Sequence, residues 1–178
     1  SCGVTPESSQ KSSVNISNTS NQFANINTTV GEVISNPAFE DFGRLLFPVD
    51  RTVTDDMTLA EISTSRVYTW YNNIQSDKTV EIINVLAERA ENGQQIFYSI
   101  YSEEEMQADE SKRDTGLFFF KGEAGAKFSI MNAGGGFAYV GAMHDSFPHA
   151  LEVSKMGYNA FALIYRPDDP YNDLAKAI

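Results

Sequence analysis

Three consecutive glycines, Gly134, Gly135 and Gly136, followed by Phe137, lie between two apolar runs in the stretch from Lys127 to Arg166. Glycine has no side chain to shield its backbone, so such a run leaves N–H groups open to a ligand. Donors of that kind suit the negative charge that develops on a ligand oxygen. The run follows an apolar segment (Phe128, Ile130, Met131) and precedes a helix pattern. That pattern opens near Asp145/Ser146, carries Pro148 in its first turn and stops at Gly157. A second apolar run, Phe161 to Tyr165, comes next. Strand, glycine loop, helix and strand in this order make a βαβ unit with its loop at the carboxyl end of a strand. The expected fold class is therefore α/β.

Phosphate is a poor match for the loop. A dinucleotide fingerprint starting at Gly134 requires glycine at position 139, where the chain has Tyr139, and no Gly-Lys-Ser/Thr follows for a P-loop. The stretch from Asn132 to Phe137 reads Asn-Ala-Gly-Gly-Gly-Phe. It is followed by His144-Asp145-Ser146-Phe147-Pro148, Gly157-Tyr158-Asn159-Ala160-Phe161, Tyr165-Arg166-Pro167 and the run Asp173 to Ile178. Together these resemble bacterial α/β-hydrolase esterases, which place a glycine-rich oxyanion loop after their third strand. The resemblance covers roughly Pro37 to Ile178. In the common form of the loop a histidine precedes the glycines; here Ala133 occupies that place, with Asn132 before it.

The resemblance implies a serine hydrolase of small carboxylic esters, with no cofactor or metal. It implies that backbone N–H groups within Gly134, Gly135, Gly136 and Phe137 receive the oxyanion, with Asn132 and His144 bracing them. In that family the nucleophile sits in a G-x-S-x-G turn after the next helix and strand, with acid and histidine later still. No G-x-S-x-G occurs in this chain. The expectation is accordingly an N-terminal portion of the fold, hairpin-like edge strands and then parallel strands, inactive alone and partnered by the missing C-terminal half. A different class of function also stays open: a complete non-catalytic module, lipid-tethered, that binds a ligand or partner through the loop. The last helix pattern stops after about two turns with Leu174 and Ile178 apolar, which favours the enzyme portion. The strand from Ala160 to Tyr165 is expected to lack one parallel neighbour and to leave an apolar edge.

His144 and His149 are the two histidines, and the family's catalytic histidine lies beyond this chain, so neither is read as the general base. Asp145 and Asp168 read as a helix cap and a loop residue. Asn172 or Asp173 reads as the cap of the last helix. One cysteine, Cys2, excludes an intrachain disulfide. Ser1-Cys2-Gly3 resembles the end of a bacterial lipoprotein signal, which makes Cys2 a candidate lipid-attachment site and places the protein in the cell envelope or outside the cell. An unmodified thiol on a cytoplasmic protein is the alternative.

A net charge of −11, with 13 basic against 24 acidic residues, argues against nucleic acid as a partner. No apolar run approaches the ~18 residues of a membrane span. At 178 residues with 42% hydrophobic content, the chain reads as part of a larger core. Its first 29 residues hold 16 Ser, Thr or Asn and two charges, Glu7 and Lys11, the composition of a flexible tether. Residues 30–94 read as a helical segment, and 95–178 as the first part of the hydrolase domain.

Within the helical segment, Phe39, Phe42, Leu45, Leu46 and Phe47 form an apolar cluster with helical spacing, ending at Pro48. A helix is expected from Thr58 to about Tyr71, with Leu59, Ile62, Arg66 and Trp70 on one side. Another is capped by Ser76, presents Val80, Ile83, Ala87 and Ala90, and ends at Asn92-Gly93. Gln95 to Tyr101 alternates like a strand. The charged stretch from Glu103 to Arg113 reads as a solvated loop with no cation-ligand spacing. Leu117 to Phe120 is a further strand.

Overall fold

A computed structural model describes residues 22–49 and 51–178. Cys2 and most of the expected tether lie outside the described residues. Four strands form one mixed sheet: β1 (Phe97–Tyr98), β2 (Gly116–Phe120), β3 (Phe128–Asn132) and β4 (Asn159–Ile164). Their order is β1-β2-β4-β3, with β1/β2 and β2/β4 antiparallel and β3/β4 parallel. Six α-helices accompany them: α1 (Val30–Ile34), α2 (Leu59–Ile62), α3 (Ser76–Glu91), α4 (Glu103–Ala108), α5 (Ser146–Lys155) and α6 (Pro170–Ala177). The α/β class and the βαβ unit β3-α5-β4 follow the sequence pattern.

Alternation in β2 puts Phe118 and Phe120 on one face with Ala160 and Ala162 of β4, all fully buried. Phe147, in the first turn of α5, packs on both phenylalanines at ring distances of 5.0 and 5.8 Å. This is where the crossover helix is fastened to the sheet. The other face carries an aromatic row across all four strands. Phe119 and Phe161 stack at 4.7 Å, with Tyr98 and Phe128 edge-on to Phe161 at about the same reach, 6.1 and 6.0 Å. Phe128 is 68% exposed.

The open edge is not where the sequence placed it. β4 is paired on both sides, and the strand with one free side near the glycine loop is β3. A crossover helix returns the chain beside β3, but β2 has already supplied the other neighbour of β4 from earlier in the sequence. That choice is a tertiary one.

Residues 22–29 are also bound to the body rather than loose. Asn84 of α3 accepts the Ala24 N–H at 2.7 Å and donates to its carbonyl at 3.0 Å, so a side-chain amide completes the backbone pairing that composition alone would not promise. Ala24 and Thr28 are buried. The helical segment and the sheet share one hydrophobic core, which runs from Ala24 through Ile82 and Leu86 of α3 to Ile164, so no break in packing falls at position 94.

Local expectations fare unevenly. The cluster Phe39 to Phe47 is buried as expected, but in two 3-10 turns, Pro37–Phe39 and Gly43–Leu46, instead of an α-helix. Helix α3 has the expected ends, with Gly93 at φ 86 just past Asn92; its buried face is Thr79, Ile82, Ile83, Leu86 and Ala87, and Ser76 lies inside the helix. Helix α2 ends at Ile62, nine residues short of Tyr71, and the Oγ of the next residue, Ser63, bonds back to the Leu59 carbonyl. The charged stretch is no loop. Ser102 and Glu105 form a capping box on α4, and a 3-10 turn, Glu110–Asp114, follows. β1 is two residues long.

Candidate functional site

The glycine loop leaves β3 at Asn132, which pairs with Leu163 of β4. Its neck is closed by the Gly141 N–H donating to the Gly134 carbonyl at 3.0 Å. Inside it a tight turn forms: the Ala138 N–H donates to the Gly135 carbonyl at 3.1 Å, and the central residues Gly136 and Phe137 have φ of 62° and 61°. Positive φ at both central positions is the signature of a type I′ turn. Only glycine fits at 135, because a Cβ there would lie 1.8 Å from the Tyr139 carbonyl oxygen. At 136 a Cβ would press on the Trp70 ring at 2.8 Å. Of the three glycines the sequence singled out, two are thus demanded by close approach.

The turn has a chemical consequence. Among the described residues, the N–H groups of Gly135, Gly136 and Phe137 donate to no protein acceptor, although Gly135 is buried. Buried N–H groups are nearly always paired, so the free one at Gly135 is an exception, whereas Gly136 and Phe137 are exposed and theirs open to solvent. Successive backbone N–H groups in a turn make an anion-binding concavity. The Gly134 N–H is not part of it, since it donates to Asp145 Oδ2 at 3.0 Å. The expected donor set narrows to Gly135, Gly136 and Phe137.

Asp145 is the brace, in place of His144 and Asn132. It occupies the residue before α5 but makes no capping bond with its side chain. The carboxylate instead receives the Gly134 N–H and the Tyr71 hydroxyl, the latter at 3.0 Å. Burial, and then the charge of Asp145, hold the Tyr71 hydroxyl well above its ordinary pKa, so it stays protonated and able to donate. Tyr165 donates to the Ala133 carbonyl, and Tyr139 to the Thr69 carbonyl. The Arg51 guanidinium lies 4.4 Å from the Tyr139 ring centre. The three tyrosine hydroxyl bonds span 32 to 74 positions of sequence, and no local pattern announces them.

His144 is half-buried, edge-on against Tyr68, with ring centres 4.2 Å apart. Burial lowers its pKa to about 4, so it is neutral at pH 7. Its Nε2, the Tyr68 hydroxyl and Ser146 Oγ are buried with no hydrogen-bond partner among the described residues. Asn132 is exposed and its side chain makes no hydrogen bond among the described residues, so the bracing expected of both falls to a neighbour one position along. His149 is exposed on α5. No group of three His, Cys, Asp or Glu among the described residues is placed to hold a metal ion.

A cleft of about 360 Å³ adjoins the loop. Phe137 and Val140 form one wall, the Tyr165 to Asp168 loop another, and Leu45 and Phe47 of the first 3-10 region a third. It lies at the carboxyl ends of the parallel strands, where open α/β sheets bind ligands. Its lining mixes apolar side chains with Ser111, Asp114, Arg166 and Asp168, which suits a small molecule carrying both apolar and polar groups. Among the described residues, no helix is long and apolar enough to cross a membrane. Comparison with protein-family models, with curated proteins and with solved structures finds no match for this chain.

Proposed function

We propose that this chain carries the oxyanion-stabilising part of a serine carboxylic-ester hydrolase of the α/β-hydrolase type, with the nucleophile, acid and histidine outside these 178 residues. One observation supports the reading above all: three successive unpaired N–H groups in the loop between β3 and the helix that follows, the position such enzymes use. As a nucleophile attacks an ester carbonyl, the oxygen takes up negative charge. Donors already fixed in place stabilise that charge without having to reorganise. Here the fixing is done by Asp145 and Tyr71 at the neck and by the turn at Gly136-Phe137. The cleft beside Phe137 receives the acyl or alcohol part. The aromatic row on the uncovered sheet face and the free side of β3 are surfaces that the rest of such a fold would bury.

The test is direct. In a 15N-labelled sample titrated with acetate, whose carboxylate stands in for the oxyanion, the amide signals of Gly135, Gly136 and Phe137 move together and Gly134 does not. Unmoved signals at those three positions would remove the reading. The chain alone leaves p-nitrophenyl butyrate intact, and steady hydrolysis that survives loss of both histidines would contradict a nucleophile lying elsewhere. The proposal extends to lipid attachment at Cys2 and a place in the cell envelope, which labelling with a fatty-acid analogue in a bacterial host, with Cys2→Ser as the control, decides.

A further inference from the structure

We infer that Trp70 and Phe137 form an aromatic rim over the unpaired N–H groups, and that the loop takes a carboxylate or acyl group carried on a flat apolar body of about benzoyl size. This rests on the reading of Gly135, Gly136 and Phe137 as anion donors. Both aromatic residues have left-handed backbones, φ 73° for Trp70 and 61° for Phe137. For bulky side chains this conformation is a genuine outlier and is strained. Core packing does not repay it, because Trp70 is 65% and Phe137 72% exposed. Strain of this kind, spent on exposed side chains, collects at ligand sites.

The surroundings show what holds Trp70 where it is. Its two chain neighbours are both tied to the glycine loop: the Thr69 carbonyl accepts the Tyr139 hydroxyl, and Tyr71 reaches Asp145 and the Gly134 carbonyl. The indole lies against Gly136, close enough that a Cβ at 136 would touch it, and is nearly parallel to Tyr139, 18° off at 6.3 Å. Phe137 supplies both a free N–H and an exposed ring that lines the adjoining cleft. Phe137 thus carries a donor and a ring in one residue, and Trp70 stands beside its neighbour Gly136. An aromatic carboxylate can lay its oxygen on the N–H groups and its ring against Trp70 or Phe137, where each aromatic contact contributes about 0.5–1.5 kcal/mol beyond burial. Acetate reaches only the donors.

Trp70 is the sole tryptophan, so its fluorescence reports on this surface alone. Titration with benzoate and with acetate, followed by amide shifts and by Trp70 emission, is expected to show benzoate binding roughly 10-fold tighter and changing the emission. Trp70→Ala reduces benzoate affinity roughly 3- to 10-fold and leaves acetate unchanged, and Phe137→Ala reduces the preference for benzoate over acetate by a similar factor. Phe137→Gly removes the backbone strain, so it raises the urea midpoint while losing the preference for benzoate. Equal affinity for the two acids, with the amides of Gly135 and Gly136 still responding, would overturn the rim and leave the anion site standing. No response to either acid would overturn both. A Phe137→Gly variant that is less stable than the parent would show a ring held by packing, and would also sink the inference.

Discussion

Two loops leave the same end of the sheet, one after β3 and one after β4, and they treat their polar groups in opposite ways. After β4, Arg166 is buried and nearly every donor it has is spoken for. Its backbone N–H meets Asp173 at 2.6 Å, its guanidinium donates to Asp173, Asp109, Asp169 and Ser111, and Nη2 lies 3.3 Å from the Tyr101 hydroxyl. Asp173 is itself wholly buried and also receives Tyr101. The Asp173 carboxylate holds the guanidinium above its already high ordinary pKa. After β3, the turn keeps three donors unused. A satisfied buried network holds a loop in one shape, whereas the free donors of the turn stay open to solvent or to an acceptor from outside the chain. The sequence offers Asn172 or Asp173 as the cap of the last helix, but both lie inside α6, where Asp173 is buried, and Asp169 with Pro170 starts the helix.

The largest effect should come from breaking the satisfied loop. Asp173→Ala leaves the Arg166 charge buried without its main partner, and should cost about 3–5 kcal/mol by urea denaturation. Replacing the pair together, Arg166→Met with Asp173→Leu, should recover most of that loss, because neither charge is then stranded. If the double variant is as unstable as the single one, packing rather than charge holds this loop.

Breaking the other loop should cost less stability and more function. Gly135→Ala forces its Cβ onto the Tyr139 carbonyl, an overpacking cost of about 1–3 kcal/mol. It should also erase the acetate-induced shifts at Gly136 and Phe137. In an enzyme that contains this loop and a nucleophile, Gly135→Val should lower kcat by roughly 10²- to 10³-fold with KM changing far less, since the donors act on charge that appears after attack. A normal kcat in a folded variant would separate the turn from catalysis.

A smaller, pH-dependent effect should mark the glycine-loop side alone. His144 titrates near 4 in the folded protein and near its ordinary 6.5 when unfolded, so the unfolded state binds the proton first. Stability from this group is complete above pH 6.5 and is lost as pH falls through that window toward 4, by on the order of 1 kcal/mol per pH unit. Urea midpoints between pH 7 and 4 should fall less steeply in His144→Asn than in the parent. Parallel slopes would mean the imidazole is solvated. The smallest effect is expected at the exposed pairs of Arg113 with Glu103 and Glu110, where Glu103→Gln should leave the urea midpoint unchanged, because solvent already screens them.

Much of the frame was legible because its signals are local. The glycines, the strand-helix-strand order around them, the helix stop at Gly157 and the Asn92-Gly93 end of α3 depend on backbone conformations that a few neighbouring residues dictate. Where local signals competed, reading failed. A helix-like spacing carries the expected α2 through to about Tyr71, but Ser63, Thr64 and Ser65 are weak helix formers, Ser63 bonds back to the Leu59 carbonyl, and Tyr71 is held at the loop by Asp145. The glutamates after Ser102 looked like a solvated loop, yet a capping box and a favourable dipole start a helix there.

The sequence by itself determined that a glycine-rich turn would follow β3 and expose backbone donors, since three residues without side chains permit little else at a strand-to-helix junction. Only the tertiary structure decided which donors stay free. Gly134 is consumed by Asp145, a residue eleven positions away, and the left-handed turn at Gly136-Phe137 leaves the next three unpaired. It also decided that β4 is the inner strand, that Arg166 is locked, and that Trp70 stands over the loop. The physical reason is one of range: backbone preference acts over a few residues, whereas pairing, burial and charge compensation are settled between groups that meet only when the chain has closed.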